Sequence, residues 1–180
     1  MNYKKCTLIK FLDELGSASP APGGGSAAAV TATLGTALVE MTSRLNDKRL
    51  GRSSGTALKA AALRAKLQEL VAKDAAAFEN IRKIFKIKKE KPAAWQSALK
   101  AGAKVPLLIC EHCVGAAGLA KREKARTGAW LESDRKEARV LLRAAFDAAN
   151  LNVEINLKEI SDSAFCSRTR REIKKWRSAL

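Results

Sequence analysis

Aromatic residues make up only 5% of this sequence, and its 180 residues include just 4 prolines, 11 glycines and a single histidine. Pleated sheets pack with β-branched and aromatic side chains, and a chain poor in both argues against a sheet-based fold. Long apolar runs are also lacking. The longest weakly charged stretch, Gly16 to Val39, opens like a loop and continues in Ala, Gly and Thr rather than Leu, Ile and Phe, so no segment is expected to span a membrane. Lys10, Asp13 and Glu14 interrupt the apolar region that a secretory leader would need behind Lys4 and Lys5, and a cytoplasmic protein is expected. The four cysteines, Cys6, Cys110, Cys113 and Cys166, are then expected as reduced thiols. Cys110 and Cys113 flank His112, but a zinc site needs about four ligands and no second Cys/His pair exists. No metal is expected.

Acidic residues are the last scarcity: 18 stand against 34 basic ones, for a net charge of +16. The excess concentrates at Lys48, Arg49 and Arg52, at Lys83 through Lys91, and at Arg168 through Arg177. Such a surface attracts polyanions. Nucleic acid is the first candidate, yet the aromatic interleaving of single-strand binders is missing and no DNA-reading motif occurs, so it is not expected as the partner. A polyglutamylated cofactor is a polyanion too.

What the chain does have is alanine. Hydrophobic residues reach 47%, and an Ala-dominated share favours close-packed helices. The expected architecture is all-α, one domain over residues 1–180, a compact bundle of about six helices. A first helix covers Thr7 to Leu15, and Gly16 to Ser26 then breaks regular structure with Gly, Pro and Ser. A second helix starts near Ser26 as N-cap and carries Val30, Leu34, Leu38, Met41 and Leu45 at helical spacing. Asn46 to Gly55 reads as a basic loop. The third helix runs from Thr56 to Phe85, the fourth from about Ala93 to Arg126 with Pro106 kinking or splitting it. Ser133 caps a fifth helix ending near Asn150, and a sixth covers Ser161 to Arg177. Between these two, Leu151 to Leu157 alternates apolar and polar residues, which reads as an extended connector.

Asp74 is the most informative single residue. It falls within the apolar stripe of Leu67, Leu70, Val71, Phe78 and Ile81, where an unpaired charge is costly. Either a Lys or Arg pairs with it, or it lines a pocket with a shifted pKa. Gly23, Gly24, Gly25 and Ser26 let the backbone approach a ligand, with the positive end of a helix behind them. Ser133 and Asp134 read as a cap and its dipole partner, although Asp134 lies one turn before Ala138 and can face the same interior as Asp74. Asn152 and Asn156 offer amide donors and acceptors from one side of their segment.

Taken in order, Pro20-x-Pro22-Gly-Gly-Gly-Ser26, Asp74-x-x-Ala77-Phe78, Val105-Pro106-Leu107, Ser133-Asp134 and Asn152-Val153-x-Ile155-Asn156 resemble the folate cyclodeaminase/methenyltetrahydrofolate cyclohydrolase family. The resemblance spans nearly the whole chain. It implies a compact helical homodimer that takes a tetrahydrofolate derivative as substrate, requires no metal, and accepts a folate that can be polyglutamylated. It implies catalytic roles for Asp74 and Asp134, and substrate binding by Gly23, Gly24, Gly25, Ser26, Ser133, Asn152 and Asn156. Two reactions fit: hydrolysis of 5,10-methenyltetrahydrofolate to 10-formyltetrahydrofolate, or deaminating closure of 5-formiminotetrahydrofolate. With no formiminotransferase segment in these residues, the first is expected over the second. The rival is a protein without catalysis, either a folate binder or a basic, nucleic-acid-associated helical protein. The chain departs from the family pattern at Lys88 and at Gly128, Trp130 and Glu132, which is expected to alter the pocket rim rather than the fold.

Overall fold

The computed structural model describes residues 6–180, which leaves Lys4 and Lys5 outside the described residues. Helices α1 (Leu8–Leu15), α2 (Gly24–Leu50), α3 (Thr56–Phe85), α4 (Pro92–Glu123), α5 (Glu132–Leu157) and α6 (Ser163–Arg177) account for most of them, with short 3-10 turns at Lys124–Arg126 and Ala129–Leu131. No strand occurs among the described residues. The four long helices form a ring in which α2 packs on α3, α3 on α4, α4 on α5, and α5 back on α2. Helix α6 lies against α4 outside that ring, and α1 buries Phe11 against the bundle.

Small side chains make the ring tight. The buried face of α2 includes Ala28, Ala29, Ala32, Gly35 and Thr36. A Cβ on Gly35 would stand 2.9 Å from Leu142 Cγ and 3.0 Å from the Ala138 carbonyl oxygen, so α2 and α5 approach as closely as a missing side chain allows. Larger residues fill the centre: Leu67 from α3, Ile109 from α4, and Leu142, Phe146 and Val153 from α5 are all buried. Deleting the Phe146 ring would cost about 3–5 kcal/mol by the usual cavity penalty.

Several boundaries differ from the sequence reading. Helix α2 starts at Gly24, with Gly23 as N-cap, and Ser26 is inside the first turn. At its other end α2 runs through Asn46 to Leu50, because Asn46 is fully buried and donates to Glu123 Oε2 at 3.0 Å. Gly51, at φ 64°, ends it in the left-handed conformation. Helix α4 takes Pro92 in its first turn and is not split at Pro106. Ser133 is not a cap: the 3-10 turn before it leads straight into α5, and Leu131 stands at the N-cap position.

The largest correction concerns Leu151 to Leu157, which continues α5. Its alternation also satisfies helical spacing, as three i, i+4 pairs on separate faces. Val153 and Leu157 are buried, Leu151 and Ile155 are exposed, and Asn152 and Asn156 lie between. A second correction concerns apolar length. The helical stretch Pro92–Arg126 is long and apolar enough to cross a membrane, with a mean hydropathy of 1.3 over its best window. Half of that window is buried inside the bundle, so core packing accounts for its composition.

The end of the bundle at the α2–α3 loop is held by a buried carboxylate. Glu123 accepts from Asn46 Nδ2, from Ser54 Oγ at 2.8 Å and from Arg126 Nη1 at 3.2 Å. Burial alone would raise its pKa, but hydrogen bonds from Asn46, Ser54 and Thr56 hold it below the usual carboxylate range.

Candidate active site

At the opposite end of α2, a cavity of about 390 Å³ opens between the four long helices. Its floor is the Gly23–Gly25 turn with Pro20 and Ala21 in front. Helix α3 contributes Asp74, Phe78 and Ile81; α4 contributes Trp95, Leu99, Gly102 and Pro106; α5 contributes Asn152, Ile155 and Asn156, with Glu159 just beyond. Apolar walls with a few convergent polar groups are the usual make-up of a small-molecule site.

Asp74 is the centre of that polar set. Ser26 Oγ donates to Asp74 Oδ2 at 3.0 Å, and the Ser26 backbone N–H bonds the same carboxylate. Asp74 therefore occupies the position of an N-cap for α2 from a neighbouring helix, satisfying one of the donors a helix start leaves free. No Lys or Arg forms an ion pair with it among the described residues, which removes the ion-pair reading. Burial raises its pKa above the ordinary carboxylate value, while the two Ser26 hydrogen bonds pull it down less strongly. Gly25 is what permits the approach, since a Cβ there would fall inside the Asp74 carboxylate.

Asn152 and Asn156 are brought to the same cavity by their i, i+4 spacing on α5. Each Nδ2 donates to the carbonyl four residues earlier, Asn152 to Ala148 at 2.9 Å and Asn156 to Asn152 at 2.8 Å. That bonding fixes which end of each amide is the donor and leaves both Oδ1 atoms free to accept from a ligand. Asn152 stands about where a side chain on Gly24 would touch it, so Gly24 faces α5 while Gly25 faces Asp74 on α3. The N–H groups of Gly24 and Gly25, at the first positions of α2, have no intrahelical acceptor and add donors beside the carboxylate.

Ser133 and Asp134 are not in this cavity. They begin α5, 18 residues before Asn152, about 27 Å away along the axis at the usual helical rise. The second carboxylate in the wall is instead Glu159. Sequence reasoning passed over Glu159, which has no local pattern, and Trp95, whose signal was available: a bulky aromatic in a chain with so few. Trp95 meets Phe85 edge-on at 5.8 Å, and Lys88 Nζ lies 4.1 Å from the Phe85 ring centre and 5.5 Å from that of Trp95. The departure at Lys88 thus falls beside Trp95, a wall residue of the cavity, whereas Trp130 is exposed and outside the cavity lining.

The Cys110–Cys113 pair is core. Both thiols are buried, Cys110 Sγ donates to the Phe146 carbonyl at 3.6 Å, and burial pushes the Cys110 pKa up to about 12 and that of Cys113 higher still. Neither is a thiolate near neutral pH. Among the described residues no group of three or more His, Cys, Asp or Glu is placed to hold a metal ion.

Fold and cavity together define a helical bundle with a largely apolar cavity into which a few polar groups converge. Residues 7–175 match the formiminotransferase-cyclodeaminase family. The chain is 37% identical to formimidoyltransferase-cyclodeaminase of Sus scrofa, over 92% of this chain and 33% of that protein. It is 31% identical to the methenyltetrahydrofolate cyclohydrolase of Methylorubrum extorquens, over 93% of this chain and 86% of that one. The crystal structure of formiminotetrahydrofolate cyclodeaminase from Thermotoga maritima superposes with a TM-score of 0.89 at 28% identity, covering 98% of this chain and 90% of that one. The chain belongs to the formiminotransferase-cyclodeaminase family, and it spans about a third of the length of the pig protein.

Proposed function

We propose that this chain is a folate one-carbon enzyme acting on the carbon that bridges N5 and N10 of tetrahydrofolate, and that it hydrolyses 5,10-methenyltetrahydrofolate to 10-formyltetrahydrofolate. The observation that carries the reading is the Asp74 carboxylate, unpaired by any cation and held by Ser26 in an apolar cavity. The methenyl substrate is a cation, and a fixed negative charge among largely apolar walls favours it and the transition state beyond it. Asp74 takes a proton as water adds to the amidinium carbon. The tetrahedral carbon then loses its bond to N5, which departs carrying a proton, so that one water is consumed and one proton released. The Oδ1 acceptors of Asn152 and Asn156 and the free N–H groups of Gly24 and Gly25 hold the edge of the heterocycle. Similarity to the M. extorquens cyclohydrolase over most of both chains supports this choice.

The second reading is the cyclodeaminase reaction, in which 5-formiminotetrahydrofolate closes to the methenyl form and releases ammonia. The names of the pig and Thermotoga relatives favour it, and the tetrahedral carbon is equivalent. Purified protein given each substrate distinguishes them. Disappearance of the methenyl chromophore without ammonia supports hydrolysis, ammonia release from the formimino compound supports the second reading, and neither reaction would refute both.

The proposed substrate form is polyglutamylated, and the support is local. Lys88 Nζ lies 5.5 Å from the ring of Trp95, which lines the cavity, whereas Lys48 lies near the far end of α2 and is out of reach within one chain. The chain is further proposed to work as a homodimer in the cytoplasm. Exposed Leu34 and Met41 on α2, and Val140, Leu151 and Ile155 on α5, supply apolar area for a second copy, and the buried thiols of Cys110, Cys113 and Cys166, outside any disulfide, suit a reducing compartment. A monomeric mass by light scattering at micromolar protein would refute the dimer.

A further inference from the structure

Helix α6 buries Cys166, Thr169 and Ile173. At about 100° per residue the opposite face falls on Ser167, Arg168, Arg171, Lys175 and Ser178, with Lys174 at its edge, and all of these are exposed. The helix's remaining cations are neutralised, Arg170 by Glu154 at 3.1 Å and Arg177 by Asp147 at 3.2 Å. Among the described residues no carboxylate lies within ion-pair distance of Arg168, Arg171, Lys174 or Lys175. Arg168 lies over the Phe165 ring and feels Asp162 at the helix start without pairing with it, and Glu172 is the one carboxylate within the helix.

Free cations in a row can serve an acidic protein, an anionic membrane or a phosphate backbone, and the apolar residues separate these. No large hydrophobic residue of α6 is exposed, because Phe165, Ile173 and Trp176 pack on the core. A membrane-surface helix must bury an apolar face among the lipids, and a protein interface needs an apolar centre. Charge without apolar area is what a phosphate backbone requires. The aromatic platforms on which single-stranded bases stack are missing from this face as well, which favours a duplex. Arg168 to Lys175 covers about 10 Å at the helical rise, roughly three phosphates along one strand.

We propose that this face of α6 binds the phosphate backbone of duplex nucleic acid without reading its sequence. The expectation against nucleic acid rested on missing motifs, and a surface that contacts only phosphates leaves no motif to find. The proposal is independent of the folate reading, since α6 contributes nothing to the cavity.

The test is fluorescence anisotropy with labelled 20-base-pair DNA and RNA duplexes from about 50 to 200 mM salt. Three variants of the whole chain are compared: wild type, Arg168→Ala/Arg171→Ala/Lys175→Ala, and the charge-matched control Lys59→Ala/Lys66→Ala/Lys121→Ala, whose cations are exposed and scattered. Wild type should bind at least one duplex, with affinity falling roughly a hundredfold across that range for three to four phosphate contacts. The α6 variant should flatten the salt slope by about 2.7, and the control should leave it nearly unchanged. Circular dichroism confirms that each variant is folded. No binding at the lowest salt, equal losses in the two variants, tighter binding to single strands, or equal binding to phosphatidylglycerol vesicles would each overturn the proposal.

Discussion

Replacing Asp74 by Asn removes one negative charge and a proton acceptor while keeping the side chain's shape. In the structure the carboxylate accepts from the Ser26 N–H and from Ser26 Oγ. An Asn can keep the first bond through Oδ1 and turn its NH₂ toward Ser26 Oγ. The serine hydroxyl can then give its own hydrogen to the Val71 carbonyl, already 3.1 Å away. Every polar group stays satisfied, which limits the structural cost to about 1 kcal/mol. Losing a charge at the start of α2 costs a further ~0.3–1 kcal/mol, and relief of the carboxylate's desolvation offsets it. The melting temperature should therefore move by less than about 4 °C in a chain of this size. Turnover should fall about a hundredfold or more if Asp74 is the base, equivalent to about 2.7 kcal/mol of barrier. Loss of the methenyl chromophore and thermal melting on the same purified variant test both halves. Near-normal turnover in folded Asp74→Asn would sink the catalytic assignment, and a drop of about 10 °C would show that the exchange of hydrogen bonds had been misjudged.

Stability of wild type relative to Asp74→Asn should also depend on pH. Because the folded-state pKa is raised, the folded chain holds that proton more tightly. The wild type is then relatively most stable below the unfolded value near 3.8 and loses ground as pH rises through the folded value; urea titrations of both proteins from pH 4 to 7 would refute this if the difference ran the other way. Gly25→Ala pushes a methyl group into the Asp74 carboxylate and should lower turnover at least tenfold, on the scale of a misplaced catalytic group; unchanged turnover would mean the carboxylate's position is unimportant. Glu123→Leu leaves Asn46 without its acceptor, while Arg126 keeps Asp47 at 2.8 Å, and should cost about 1–3 kcal/mol in urea unfolding, the scale of an unsatisfied buried polar group, with activity retained in whatever remains folded. Lys88→Ala should raise KM for polyglutamylated substrate several-fold with kcat unchanged, and equal effects on the monoglutamate would count against a tail contact.

Much of the fold could be read because a helix leaves a local record. Leu67, Leu70 and Val71 repeat with the period of their own backbone, and the boundaries of α3 follow from that and from the residues around them. The record is weaker where two periods fit the same residues. Leu151 to Leu157 satisfies alternation and three i, i+4 pairs equally well, and the packing of α5 against α2 and α4 selects the helix. Helix ends were misplaced where a tertiary partner did the capping. Asp74 caps α2 from another helix, and Glu123 draws Asn46 into a buried bond that carries α2 onward to Leu50.

The site divides along the same line. That the chain is helical, that Asp74 sits on an apolar stripe, and that a glycine run precedes a helix could all be read from the residues alone, because each is a property of neighbours along one segment. Packing of the helices was needed to give Asp74 Ser26 rather than a cation for a partner, to set Gly25 against it, and to bring Asn152 and Asn156 into its cavity. It also decided that Ser133 and Asp134 do not share that cavity within one chain, and that Glu159 and Trp95 do. This pocket draws on residues from Pro20 to Glu159, up to 139 positions apart, and the spacing within a helix carries no information about which ends of two helices meet.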